Sequence, residues 1–137
     1  MKKLPEQARF LCDFLEHTGM QWRAFVTLTY PRPIARSRLM SDLHVWRKGI
    51  QAAHRKTIGY VCGVEAKPQF HAHLALLAAG ALDCALLERL WLQAIGARDP
   101  QFARVEPYQP GHHGIAYIAK FIGTDVDEVS LSRKITD

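Results

Sequence analysis

The stretch that most constrains this chain is Gly59 to Leu77, Gly-Tyr-Val-Cys-Gly-Val-Glu-Ala-Lys-Pro-Gln-Phe-His-Ala-His-Leu-Ala-Leu-Leu. Two apolar arms flank a polar corner at Lys67-Pro68-Gln69. Pro68 has no N–H to give a ladder, and polar residues gather at the bend, so the pattern predicts an antiparallel hairpin. Strand side chains alternate between faces, so His71 and His73 leave one face together while Ala72 and Leu74 go to the other. Glu65 ends the first arm, where cross-strand pairing brings its carboxylate toward the two imidazoles. Two histidines and a carboxylate form a workable ligand set for a divalent metal with open positions left for substrate.

Other readings of these histidines are weaker. A lone strand histidine is most often a half-buried polar residue, and H-x-H alone is a modest signal. Purely structural imidazoles between Phe70 and the Leu74 to Leu77 run would each need partners for both ring nitrogens. A cupin-like site would need a Glu three or four residues further on, where this chain has Leu77 and Ala78.

The 137 residues suffice for one domain with a genuine core and are too few for two. An apolar fraction of 48% with 23% charged residues fits a globular chain. No apolar run approaches the roughly 18 residues of a membrane span, and Met1-Lys2-Lys3 leads into a polar helix, so a cytoplasmic location without membrane association is expected. The three cysteines, Cys12, Cys62 and Cys84, are odd in number and lack C-x-x-C spacing, which favours buried, reduced thiols. A net charge of +5 suits a polyanionic partner.

Taken in order, Pro5 to Thr18 reads as a packing helix stopped by Gly19. Trp22 to Tyr30 reads as a strand ended by Pro31 and Pro33, with Thr27 and Thr29 sharing a face and able to touch a phosphate or a metal's water shell. Ser37 to Lys56 has Leu39, Leu43, Trp46, Ile50 and Ala53 on a helical stripe, opposite Arg36, Arg38, His44, Arg47, Lys48, His54, Arg55 and Lys56. A solvated basic face is the commoner meaning of such a run. Arg47, Lys48, Arg55 and Lys56 are nonetheless the best candidates for sequence-independent phosphate contacts. Leu82 to Ile95 forms a second amphipathic helix stopped by Gly96, and Gln101 to Glu106 a further strand. A turn over Tyr108 to Gly114 leads to a helix over Ile115 to Ile122. Thr124 to Asp137 reads as a polar tail or linker, leaving a domain over residues 1–123.

On the last helix Tyr117 and Lys120 stand three apart, one turn from each other on the same side. A nearby cation favours phenolate, so the pair can make a tyrosine nucleophile, although this spacing is also frequent on exposed helices. His112 and His113, just before that helix, are candidates to hold DNA or phosphate, though loop histidines are usually only solvated. Tyr30, Tyr60 and Tyr108 are rival nucleophiles only if the last helix is misplaced.

Phe25-Val-Thr-Leu-Thr29, then Glu65 and His71-Ala-His73, then Tyr117-Ile-Ala-Lys120, set in the order strand, helix, hairpin, helix, strand, helix, resembles the catalytic domain of the HUH endonucleases. Within that superfamily the chain is most similar to rolling-circle replication initiators of small plasmids and single-stranded DNA phages, over about residues 23–123. The resemblance implies an α+β, ferredoxin-like plan: a central antiparallel sheet of about four or five strands with helices on one face and the active site on the other. It implies Glu65, His71 and His73 as ligands of Mg²⁺ or Mn²⁺, Tyr117 as nucleophile and Lys120 as its lysine. The implied reaction nicks single-stranded DNA, presented in some cases as a hairpin origin, to give a 5′-phosphotyrosyl link and a free 3′-hydroxyl. Metal polarisation and covalent capture agree with the residue-level reading.

The chain departs from the two-tyrosine pattern. Phe121 occupies the position of the second tyrosine of Y-x-x-K-Y, and of the tyrosine of E-x-x-K-Y, which implies a single-tyrosine enzyme using Tyr117. With no G-x-x-x-x-G-K-[ST] motif, unwinding is expected to need a host or element helicase. All motifs lie on one chain, so a monomeric site is expected. The rivals are a non-catalytic basic module that binds single-stranded nucleic acid, a structural domain with packed histidines, and a metal-dependent hydrolase without covalent capture.

Overall fold

The computed structural model describes residues 22–66 and 69–109, together with the backbone of Val129–Leu131. The helices expected over Pro5 to Thr18 and Ile115 to Ile122 lie outside the described residues, as do Cys12, His112, His113, Tyr117, Lys120 and Phe121.

The elements run β1 (Trp22–Leu28), α1 (Arg36–His54), β2 (Gly59–Glu65), β3 (His71–Leu77), α2 (Cys84–Ile95), β4 (Ala103–Pro107) and β5 (Val129–Leu131). They build one five-stranded sheet in the order β4-β1-β3-β2-β5, and every neighbouring pair is antiparallel. The first four strands and two helices trace the βαββαβ, ferredoxin-like path, with β5 added on the β2 edge. The chain is thus an α+β domain of the architecture expected. Among the described residues no helix is long and apolar enough to cross a membrane.

Hydrophobic periodicity explains the layering. In β1 every second residue, Ala24, Val26 and Leu28, is fully buried, and these side chains pack with Ala72, Leu74 and Leu76 of β3 and with Cys62 and Val64 of β2. The helices close over this face through Leu39, Leu43, Trp46 and Ile50 of α1 and Leu87 and Trp91 of α2. β3 lies between β1 and β2, so Ala72 to Leu76 is buried on both faces, as its nearly unbroken apolar run demands.

Two tryptophans tie the layers together. The rings of Trp46 and Trp91 meet edge to face, 6.3 Å apart. Trp46 Nε1 donates to the Leu87 carbonyl at 2.9 Å, and Trp91 Nε1 to the Thr29 carbonyl at 3.1 Å, so neither buried indole leaves its N–H unmet. Asp83 caps α2 by accepting from the Leu86 N–H at 3.1 Å. Both helices end on a left-handed residue: Gly96 for α2 (φ 69°), as expected, and Arg55 for α1 (φ 53°), where a side chain must bear the strain that glycine avoids.

Three expectations are corrected. Ala53 is exposed, because the last turn of α1 runs past the core and its stripe no longer faces the sheet. Residues Pro100–Phe102 form a 3₁₀ turn capped by Asp99, so the fourth strand begins at Ala103 rather than Gln101. Part of the segment read as a tail is structured: Gly63 pairs with Val129 and Val61 with Leu131, making β5 an edge strand. Three residues are too few for an alternating pattern to stand out from polar surroundings.

Candidate metal centre

The register of the hairpin sets the site. Glu65 stands opposite His71 and Gly63 opposite His73, while Thr27 of β1 faces His73 from the other side. Side chains alternate, so Glu65, His71, His73 and Thr27 project from the face opposite α1 and α2. Gly63, opposite His73 on one side and Val129 of β5 on the other, contributes no side chain to this row.

The three expected ligands do converge. Glu65 Oε2 lies 2.8 Å from His71 Nε2 and 3.2 Å from His73 Nε2. The imidazoles stand nearly perpendicular, with centroids 5.0 Å apart. One ligand atom from each residue falls within 4.8 Å of the others, so the group can hold a metal ion. His73 is the deepest of the three and Glu65 the most accessible, at 7% and 31% side-chain exposure, so the centre opens toward the carboxylate.

The other ring nitrogens show why this geometry suits a cation. His71 Nδ1 lies 2.8 Å from the Gln69 backbone carbonyl, which can only accept, so Nδ1 carries the proton and donates. In the neutral ring Nε2 is then a bare lone pair facing a carboxylate oxygen. Two acceptors at 2.8 Å repel unless a proton is shared between them or a cation binds both. His73 Nδ1 lies 3.3 Å from Thr27 Oγ1, and the Phe25 ring stacks on the His73 imidazole at 6.5 Å. Metal-binding histidines commonly hold their second nitrogen on a carbonyl or another polar group in this way.

The remaining candidates lie elsewhere. Thr27 sits beside His73, whereas Thr29 falls beyond β1, and its backbone bonds to Phe102 and Trp91. The basic helix is on the opposite face of the sheet from the cluster. There Arg47 lies over the Tyr60 ring at 4.1 Å, Lys56 Nζ donates to the Ala81 carbonyl at 3.4 Å, and Lys48 and Arg55 are exposed. Of the rival tyrosines, Tyr30 is buried against Asp42 with its hydroxyl pushed far above its ordinary pKa by burial and then by that carboxylate, which makes it a poor nucleophile. Tyr60 lies under Arg47, and Tyr108 packs beside Trp22 with centroids 6.3 Å apart.

Sequence reasoning missed three contributors. Gln69 was read only as a corner residue, yet its carbonyl orients His71 while its Nε2 donates to the Tyr30 carbonyl at 2.8 Å, pinning the corner to the end of β1. Phe25, which opens the Phe25 to Thr29 segment, carries no site signal of its own in the sequence. Asp42 is buried on α1, accepting from Tyr30 Oη at 2.5 Å and Arg38 Nε at 3.0 Å. Alternation along β1 puts Phe25 on the site face, but nothing local marks the other two.

Fold and site together define a ferredoxin-like α+β domain whose sheet, on the face turned from α1 and α2, carries a two-histidine, one-carboxylate group able to hold a metal ion. No protein-family model, no curated protein and no solved structure matches the chain.

Proposed function

We propose that this chain is a metal-dependent endonuclease and strand transferase of the HUH type, nicking and rejoining single-stranded DNA in rolling-circle replication or related mobile-element processing. The convergence of Glu65, His71 and His73 on the sheet face turned from α1 and α2 carries this reading. Mg²⁺ or Mn²⁺ is the proposed ion, and two imidazole nitrogens suit Mn²⁺ better than Mg²⁺, which prefers oxygen ligands. When bound, it polarises the scissile phosphate and offsets charge developing on its oxygens.

The chain's own residues supply the rest. Glu65, His71 and His73 would hold the ion on the sheet face turned from α1 and α2. Tyr117 is the proposed nucleophile, and Lys120, three residues further along the sequence, is proposed to favour its phenolate. Its oxygen forms a bond to phosphorus, the bond from phosphorus to the 3′ oxygen breaks, and that oxygen takes up a proton to leave as a 3′-hydroxyl. The 5′-phosphotyrosyl link keeps the bond energy for rejoining. A helicase partner would supply the unwound strand.

The test incubates labelled single-stranded oligonucleotides with the protein and Mn²⁺ and seeks a covalent adduct on a denaturing gel. An adduct that forms with Mn²⁺, disappears with EDTA and is lost in Tyr117→Phe is the expected result. Unchanged cleavage by Tyr117→Phe would sink the proposal. Salt-sensitive binding that ignores EDTA and gives no adduct would instead identify a non-catalytic nucleic-acid-binding module.

A further inference from the structure

The sheet face that carries the metal centre is closed on one side and open on the other. One register row runs Arg104, Thr27, His73, Gly63 from β4 through β1 and β3 to β2, and the next runs Glu106, Phe25, Ala75, Val61. On the β2 side Gly59, Val61 and Gly63 are all buried, and Val61 and its neighbour Ala75 keep only 1% and 0% of their surface. A ligand cannot lie on surface that is already buried. On the β4 side Arg104 and Glu106 are 78% and 53% exposed, and Thr27 and Phe25 of β1 are half-buried between them and the centre. Ala103 and Val105 of β4 belong to the core under the helices, so alternation puts Arg104 and Glu106 on the metal side of the sheet.

Arg104 is placed to meet an anion there. Neighbouring strands lie about 4.8 Å apart, so its backbone stands about 10 Å from that of His73, two strands away in the same row. Its Nε donates to Glu106 Oε1 at 2.9 Å, which directs the guanidinium and leaves its terminal N–H groups facing solvent. An exposed ion pair of this kind is weak, so a phosphate can compete with Glu106 for the cation. Arg23 of β1, by contrast, turns its guanidinium onto the Ala78 and Ala79 carbonyls at 3.1 and 3.2 Å.

We propose that single-stranded DNA engaged at the metal centre runs out across β1 and β4, and that Arg104 holds a backbone phosphate on that path. This rests on the proposed DNA-nicking function and goes beyond it by giving the strand a route and by adding a phosphate contact outside the basic helix. A guanidinium presents paired N–H donors to two oxygens of one phosphate, and such a contact positions the strand without reading its sequence.

The experiment follows the binding of a fluorescently labelled oligothymidylate to the full chain in Mn²⁺ over a salt series. It compares wild type with Arg104→Ala, Arg104→Lys and Arg89→Ala, the last an exposed arginine of α2 on the other side of the sheet. Arg104→Ala should bind more weakly, and its slope of log affinity against log salt should shrink by about 0.7, the share of one single-strand phosphate. Arg104→Lys keeps the charge and should keep the slope, and Arg89→Ala should match wild type. An Arg104→Ala chain with wild-type affinity and slope overturns the proposal, and so does an Arg89→Ala chain that loses as much as Arg104→Ala. If the Arg104 effect is found but the adduct assay above gives no covalent product, the path stands as a binding face and the nicking reaction falls. A wild-type chain that retains no oligothymidylate at low salt removes both.

Discussion

Burial acts most plainly on Cys62, whose side chain sits in the core between sheet and helices. Desolvation pushes its thiol from an ordinary 9.0 up to about 12, against a smaller opposing pull from Arg47. A raised folded-state pKa means that this group costs no stability below pH 9.0, where both states hold the proton, and that stability falls as the pH climbs toward 12. Tyr30 is displaced in the same direction and adds to the alkaline loss. Thermal unfolding followed by circular dichroism should therefore show no contribution from Cys62 up to pH 9.0 and a decline above it, and Cys62→Ala should decline less steeply. An identical slope in the variant would contradict this. The sequence had already suggested buried, reduced thiols: Cys62 is buried and Cys84 half-buried, both free. His71 and His73 were equally legible as a same-face pair, since that follows from alternation alone, but their outer partners Gln69 and Thr27 were not, because neither contact is periodic.

At the scale of elements, the link between β1 and α1 depends on a polar contact beneath the core. Just past β1, Tyr30 donates to Asp42 of α1, which also pairs with Arg38 one turn earlier, and the Trp91 ring meets Tyr30 edge to face at 5.4 Å. Replacing Asp42 with Ala leaves a buried phenol without its acceptor, a loss of about 1–3 kcal/mol. Urea denaturation should show that drop, whereas a surface control such as Ser41→Ala should stay within about 0.5 kcal/mol of wild type. An Asp42→Ala protein as stable as that control would show that the contact contributes nothing. The helices, the hairpin and the glycine stop of α2 were readable because each repeats a period or ends on a turn residue. The 3₁₀ turn before β4, the left-handed Arg55 and the three-residue β5 carry no period, so only the folded chain reveals them.

For the whole molecule, the sheet separates two chemistries. The metal centre occupies one face, while α1, with exposed Lys48 and Arg55, covers the other. If single-stranded DNA is engaged at the metal centre, replacing Lys48 and Arg55 with Ala should leave Mn²⁺-dependent adduct formation intact. A large loss of adduct would mean that the strand wraps from one face to the other. By itself, the sequence determined the strand and helix periods, the hairpin and the candidate ligands, because these depend on spacing within short segments and on the stepwise alternation of side chains. Tertiary structure decided that Glu65 approaches both histidines, that Thr27 and the Gln69 carbonyl hold their far nitrogens, and that the basic helix faces away from them. Those relations depend on strand register and on which face the helices cover, and both are set by long-range packing of the whole apolar face.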